Sequence, residues 1–356
     1  MPELKAYSYD LPPELIAQKP AERREDSRLL ILDRKTDILE HRFFRDIPEH
    51  LTDKDLLVFN DTKVFPARLL GRKEGNGGAR CEIFLLKQLD ARKWECLVKP
   101  GRRLTSGSIV RFSADFSCKI QDTLTDGRRI VEFDYAGDFF DDLSKYGQTP
   151  LPPYIKPVVS PTLDDRINIT ERYQTVYARE TGSVAAPTAG LHFSEELLAQ
   201  IKSQGISTAF VTLHVGLGTF QPLQTENIRE HKIHTEEYFL PQKTIRAIRD
   251  CRARGGRVIA VGTTAARVLE TEASRWLDAE PVEASSTIHS QTNIFIYPGY
   301  QFKIVDALIT NFHLPKSTLL LLVSAFAGRE KILSAYQEAI KQRYRFFSFG
   351  DAMLIV

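Results

Sequence analysis

The rhythm of apolar positions changes twice along the chain. Near the N-terminus two short runs, Arg28–Asp33 (RLLILD) and Asp55–Asn60 (DLLVFN), read as extended segments. From Lys63 to about Phe140 the stretches become short and alternating, or rich in β-branched and aromatic residues. They are Ala67–Leu70, Cys81–Leu86, Trp94–Val98, Ile109–Phe112, Cys118–Ile120 and Ile130–Tyr135. Turn sequences separate them, notably GNGG at Gly75–Gly78, PGRR at Pro100–Arg103 and TDGRR at Thr125–Arg129. Short strands at this spacing predict a small β-barrel or sandwich.

A proline-rich return follows, Thr149–Pro157 (TPLPPYIKP), stiff because proline fixes φ and lacks an N–H. Beyond it helices and strands alternate. Ser194 is placed to cap a helix that carries Glu195 and Glu196 in its first turn, Leu197, Leu198 and Ile201 on one face, and Gly205 after its end. Ile206–Val215 predicts a strand, and Lys243–Arg254 a helix closed by Gly255-Gly256. Arg257–Val261 predicts a buried strand running into a helix at Thr263–Glu270. Lys303–Ile309 predicts a further strand, and Arg329–Arg343 an amphipathic helix. The expected fold is an α/β (mixed α+β) main domain, residues 1–61 and 150–356, with an inserted small antiparallel β-barrel domain at 62–149.

The chain has 356 residues, of which 42% are hydrophobic and 26% charged, enough apolar material for a sizeable core. A net charge of +2 neither demands nor excludes nucleic acid. Its distribution says more: Thr62–Arg111 holds twelve Lys/Arg against four Asp/Glu, a basic surface suited to a polyanion or simply to solvent. Cys81, Cys96, Cys118 and Cys251 form no C-x-x-C pair and no metal-like spacing with histidine, which points to ordinary thiols in a reducing compartment. Met1–Pro20 contains Lys5, Asp10, Glu14 and Lys19 and no apolar core, unlike a signal peptide. The longest apolar run, Thr318–Ala327, is about half the length of a membrane span and predicts a buried helix instead. A cytoplasmic protein with no membrane contact is expected.

Candidate chemistry gathers in the α/β part. Val184–Phe193 (VAAPTAGLHF) ends at a helix start, where backbone N–H groups can hold an anion; Thr188, Gly190 and His192 lie in it, Gly190 permitting close ligand approach. Thr212–Phe220 (TLHVGLGTF) places Thr212 and His214 on one strand face, then turns through Gly216 and Gly218 to Thr219. This G-x-G lacks the third glycine and helix start of a dinucleotide fingerprint, so it does not argue for a Rossmann methyltransferase. His231–Glu237 (HKIHTEE) offers His234, Glu236 and Glu237, a base and two carboxylates able to stabilise a cation. H-x-x-H without further ligands is not a zinc spacing, and no metal is predicted. Thr263 and Thr264 start a helix after a strand, as caps or as ligand donors. Asn311 and His313, in TNFHLP, follow a buried strand, where open α/β sheets bind ligands. Arg343–Asp351 (RYRFFSFGD) adds aromatics and cations, Arg345 among them, suited to nucleic acid or to packing.

In order along nearly the whole chain, these and further motifs resemble one family. They are Tyr9–Pro12 (YDLP), Gln18–Pro20 (QKP), Arg24–Leu29 (REDSRL), Asn60–Arg68 (NDTKVFPAR), Val184–Phe193, Leu213–Pro222 (LHVGLGTFQP), His234–Tyr238 (HTEEY), Val258–Glu270 (VIAVGTTAARVLE), Thr292–Gly299 (TNIFIYPG), Ala307–Thr318 (ALITNFHLPKST) and Tyr344–Leu354 (YRFFSFGDAML). The family is the S-adenosylmethionine:tRNA ribosyltransferase-isomerases of queuosine biosynthesis.

The resemblance implies an α/β domain with an inserted barrel. It implies transfer and isomerisation of the ribosyl unit of S-adenosylmethionine onto 7-aminomethyl-7-deazaguanine at the tRNA wobble position, giving epoxyqueuosine and releasing adenine and methionine. S-Adenosylmethionine is then a consumed co-substrate rather than a cofactor, and tRNA the macromolecular partner; no obligate protein partner is evident. For the proton transfers the pool is His192, His214, His234 and His313, with Glu236 and Glu237 to hold the sulfonium or orient a histidine. Asn60 and Arg68 are candidates to position the base or a phosphate. Thr188, Thr219, Thr263, Thr264 and Asn311, with the glycines Gly190, Gly216 and Gly218, are candidates to bind the small substrate. Lys99, Arg102, Arg103 and Arg345 are expected on tRNA phosphates. If His214 or Glu237 does proton or charge work, replacing it by Ala lowers turnover by roughly two orders of magnitude or more. The rivals are an S-adenosylmethionine-dependent RNA methyltransferase, which leaves S-adenosylhomocysteine, and a non-catalytic RNA-binding protein. A glycosidase on Glu236 and Glu237 fits poorly, because neighbours on a strand face opposite ways.

Overall fold

The computed structural model describes residues 3–75, 78–156, 169–216, 223, 226–231, 233–276 and 286–356. It divides into two compact units, residues 1–63 with 152–356, and residues 64–151. Among the described residues no helix is long and apolar enough to cross a membrane.

The larger unit is built on a nine-stranded mixed sheet. Its strands are β1 (Arg28–Leu32), β2 (Leu39–Phe43), β3 (Leu56–Asn60), β4 (Ser207–Leu213), β5 (Glu236–Leu240), β6 (Val258–Val261), β7 (Ile288–Thr292), β8 (Ala307–Asn311) and β9 (Ala352–Ile355), in the order β7-β5-β4-β3-β6-β8-β9-β1-β2. The central strands β4, β3, β6 and β8 run parallel. β9 is antiparallel to β8 but parallel to β1; the edge strands β2 and β7, and β5 beside β7, are antiparallel to their neighbours. Alternation sends successive side chains to two separate cores. Leu30, Leu32, Leu56 and Val58 enter one; Leu29, Ile31, Leu57 and Phe59 enter the other. A sheet covered on both faces needs near-continuous apolar runs in its inner strands: β6 is apolar throughout, and β3 is apolar up to its last residue, Asn60.

The helices of this unit are α1 (Glu195–Ser203), α2 (Gln242–Ala253), α3 (Thr263–Trp276), α4 (Thr318–Ala327) and α5 (Arg329–Lys341). Ser194 caps α1 by accepting from Leu197 N at 3.1 Å. Gly262 has φ +92°, a left-handed turn that lets β6 pass directly into α3. The strand expected from Lys303 begins instead at Ala307. The buried carboxylate of Glu270 accepts from the backbone N of Lys303, Ile304 and Val305 at 2.9–3.0 Å, taking up the donors a strand ladder would have used.

The smaller unit is an antiparallel barrel. Arg68–Lys73, Arg80–Gln88, Lys93–Lys99, Arg129–Asp134, Ser117–Thr123 and Ile109–Arg111 pair in that order, and the last strand returns to the first through Arg72↔Arg111. A helix, Phe139–Tyr146, is capped by Asp138. Phe116, Phe133 and Phe139 are buried inside.

Candidate active site

Parallel strands end together, and here the segments after β4, β6 and β8 enclose a cleft of about 660 Å³. Val215 comes from the first, Gly262–Thr264 from the second, and Asn311–Leu314 from the third. Thr188, on a short 3-10 turn (Thr188–His192), and Tyr154 complete the wall. Five residues singled out in the sequence thus meet in one place: Thr188, Thr263, Thr264, Asn311 and His313.

The hydrogen bonding of the cleft is incomplete in a specific way. Asn311 is buried, and its Nδ2 donates to Phe347 O at 3.0 Å and to His192 Nε2 at 3.1 Å. The carbonyl partner requires the amide nitrogen on that side, so Oδ1 is turned away, and Oδ1 is buried with no partner among the described residues. The Thr264 hydroxyl, buried in the first turn of α3, also has none among the described residues; it does not cap the helix. A buried polar group without a partner costs roughly 1–3 kcal/mol, a cost that a bound ligand with complementary groups removes.

Two histidines belong to this wall. His192 receives the Asn311 amide on Nε2, so its proton sits on Nδ1, 2.7 Å from Ser27 Oγ. Burial, with the charges of Arg345 and Arg24, depresses its pKa to about 3. With both nitrogens engaged, His192 orients Asn311 and is not free to shuttle protons. His313 Nε2 lies 2.7 Å from Thr310 Oγ1, while Nδ1 has no protein partner among the described residues. Burial takes its pKa to about 3 as well. Its backbone is clamped by Tyr336, whose hydroxyl accepts from His313 N at 3.0 Å, and by Tyr9, whose hydroxyl donates to His313 O.

Other expected residues lie apart from the cleft. His214 points away from it, since its neighbour Val215 takes the cleft side. Its Nδ1 is 2.9 Å from Thr62 Oγ1, and its ring packs so closely on Gly182 that a Cβ there would be 2.6 Å away. Burial lowers its pKa, against the opposing pull of Glu237, Glu180 and Asp61. Asn60 carries no free amide: Nδ2 donates to Leu213 O, and Oδ1 accepts from Leu213 N and Thr62 N, at 3.0–3.2 Å. It continues the ladder where β3 and β4 part, rather than meeting a base. Gly190 is not a ligand approach but a packing necessity, because a Cβ would lie 2.0 Å from Tyr177 Oη.

Strand alternation divides the two glutamates. Glu236 is buried, accepting from Gly216 N at 3.0 Å and pairing with Arg267 Nη1. Arg267 keeps Nε and Nη2 buried without partners among the described residues. Glu237 is exposed and pairs with His289 Nε2 at 2.6 Å. His234 is exposed. Gly218 and Thr219 lie outside the described residues. In the barrel, Arg68 is bound to Glu82 Oε2 at 2.7–2.9 Å, while Lys99, Arg102 and Arg103 are exposed on one turn. Arg345 approaches Asp351 at 3.6 Å.

Sequence reasoning missed Ser27, Arg267 and His289. Ser27 and Arg267 both lie inside motifs quoted above, but nothing local distinguishes them from other polar residues. His289 stands on an edge strand with no motif.

A profile of the queuosine biosynthesis protein family matches residues 4–355. The S-adenosylmethionine:tRNA ribosyltransferase-isomerase of Pelotomaculum thermopropionicum is 52% identical over 354 residues, covering 99% of both chains. The protein of the same name from Thermosipho melanesiensis is 51% identical over 353 residues, again 99% of both. The crystal structure of the S-adenosylmethionine tRNA ribosyltransferase of Thermotoga maritima is 41% identical, covers 99% of this chain and 100% of its own, and superposes with a TM-score of 0.54.

Proposed function

This chain belongs to the queuosine biosynthesis protein family, and from that premise we infer that it is an S-adenosylmethionine:tRNA ribosyltransferase-isomerase whose strand-end cleft receives S-adenosylmethionine. It moves the ribosyl unit onto the aminomethyl group of 7-aminomethyl-7-deazaguanine in tRNA, with loss of adenine and methionine, and forms the epoxyqueuosine ring. The observation that carries the placement is the pair of buried, unpartnered polar atoms, Asn311 Oδ1 and Thr264 Oγ1, on the cleft wall. A substrate bearing hydroxyl, amine and amide-like edges supplies their missing partners.

The electrostatics fit a cationic substrate. A sulfonium is repelled by an imidazolium, and burial keeps both His192 and His313 neutral. His313 Nδ1 then offers either a lone pair or an N–H to the substrate, depending on the tautomer Thr310 selects. Glu236 and Arg267 stand behind the Val215–Gly216 wall as a neutralised pair with two donors left over. In this reading His192 and Glu236 are positioning residues. His313, Thr264 and Asn311 touch substrate.

Product analysis tests the reading. The protein is incubated with S-adenosylmethionine and tRNA carrying the aminomethyl-deazaguanine base. Free adenine, methionine and epoxyqueuosine in the tRNA are expected; S-adenosylhomocysteine in their place overturns it. Loss of adenine release in Asn311→Ala, with the fold intact, ties the reaction to the cleft.

A further inference from the structure

Beside the cleft lies a smaller hollow of about 270 Å³, lined by Arg24, Arg172, Arg345, Ser27 and His192. Ser348 borders both spaces, and the contact between Asn311 and His192 joins their walls. Three guanidinium groups converge there with little to balance them. Arg24 donates to Leu191 O and Glu171 O, both at 3.1 Å, and Arg172 to Glu22 O at 2.9 Å and Ala21 O at 2.6 Å. These acceptors are backbone carbonyls. They fix the guanidinium planes without neutralising them.

Neither Arg24 nor Arg172 forms an ion pair among the described residues. The charge of Glu25 reaches both Arg24 and Arg172, but its ion pair is with Arg23 at 3.2 Å; Asp351 is 3.6 Å from Arg345 Nε and accepts from the backbone N of Arg28 and Arg345. Arg172 Nε is buried with no partner among the described residues. Arg24 is held below its usual pKa by burial and by the charge of Arg172. Like charges gathered in a restricted space repel, and a preformed set of forked donors around one point matches an oxyanion.

We propose that this hollow seats a backbone phosphodiester of the substrate tRNA, beside the nucleotide whose base enters the cleft. The proposal rests on the ribosyltransferase reading above. The hollow admits a tetrahedral oxyanion among the three guanidinium groups. Its separation from the cleft by His192 and Ser348 sets the phosphate apart from the sulfonium substrate. His192 then links the two binding events, with Asn311 on one nitrogen and the Ser27 wall of the hollow on the other.

The test uses the full-length protein and tRNA carrying the aminomethyl-deazaguanine base. Arg24→Gln, Arg172→Gln and Arg345→Gln are compared with wild type by tRNA affinity between about 50 and 200 mM salt, roughly the range over which phosphate contacts are resolved. Each variant is expected to weaken tRNA binding about ten-fold and to flatten the slope of log affinity against log salt by about 0.7–0.9, one phosphate contact. The KM for S-adenosylmethionine is expected to stay within about two-fold. An unchanged salt slope overturns the proposal. So does a rise confined to the KM for S-adenosylmethionine, which assigns the hollow to that substrate's carboxylate. If Arg24→Gln or Arg172→Gln fails to fold, Arg345→Gln carries the slope test, and Arg172→Lys, which keeps the charge, is expected to keep the wild-type slope while losing affinity with the forked donor. Adenine release by wild type, followed in parallel, separates the two levels: turnover with unaltered slopes removes the phosphate seat alone, whereas no turnover removes the functional reading itself.

Discussion

At the ends of β6 and β8, Thr264 and Asn311 each hold a buried polar atom with no partner. At the ends of β3 and β4, Asn60 closes three hydrogen bonds and His214 leans on Thr62 and Gly182. The two regions use the same residue types, lie on neighbouring strands of one sheet, and both fall in motifs that resemble the family. What separates them is unused hydrogen-bonding capacity. Where the protein satisfies its own groups, the side chain maintains the fold. Where it leaves them buried and unpaired, a ligand is the economical partner.

The comparison can be strained most severely with acid. His192 and His313 have folded-state pKa values of about 3 against an ordinary 6.5. The unfolded chain therefore binds two protons that the native cleft refuses. Their contribution to stability is intact above pH 6.5 and is lost as pH falls from 6.5 toward 3, by about 1.4 kcal/mol per pH unit for each histidine. Denaturant unfolding at pH 5 against pH 7 is expected to show a loss of about 4 kcal/mol from this pair. A His192→Asn, His313→Asn double variant with the same acid sensitivity as wild type would remove these histidines as its source.

Next in size, Asn311→Ala is expected to lower kcat/KM by at least about 100-fold, since it removes the inward carbonyl and frees His192. Near-normal turnover from a folded variant breaks the assignment of the cleft. The opposite behaviour is expected of Asn60→Ala: stability falls by about 2–3 kcal/mol by denaturant titration, while kcat of the folded fraction stays within a few-fold. A hundred-fold loss of kcat there, with stability unchanged, would place the His214 side within the reaction.

Thr264→Val sharpens the contrast more gently. Replacing an unpartnered buried hydroxyl by a methyl leaves the free protein as stable as before or slightly more so, yet raises the KM for S-adenosylmethionine about ten-fold. The smallest effect belongs to the barrel. Arg68→Gln breaks a partly exposed pair with Glu82, and thermal unfolding is expected to report less than about 1 kcal/mol.

Much of this was legible beforehand in the sequence, and the reasons differ from element to element. The helix from Thr318 to Ala327 and the Ser194 cap are local matters of apolar length and a side-chain oxygen reaching a near N–H, so they appear as expected. The barrel strands were visible because turns punctuate them every few residues. The edge strands β2 and β7 were not read as strands: LEHRF and IHSQT carry little apolar signal, and they extend the sheet because a neighbouring strand offers unpaired backbone groups. The stretch from Lys303 to Val305 was misread because its donors go to Glu270, more than thirty residues away.

The same division holds for the site. Sequence by itself determined the family, through long motifs in fixed order, and the strand-end location of Thr263, Thr264, Asn311 and His313, because strand, glycine turn and helix follow one another locally. Only the tertiary structure decided which polar atoms remain unpaired. Asn311 and Asn60 are the same residue at the ends of two buried parallel strands, β8 and β3, that flank β6. They differ because one meets His192 and Phe347 from distant segments on one side only, while the other is enclosed by Leu213 and Thr62. Hydrogen-bond satisfaction depends on what packing brings within about 3 Å, and no spacing along the chain specifies that.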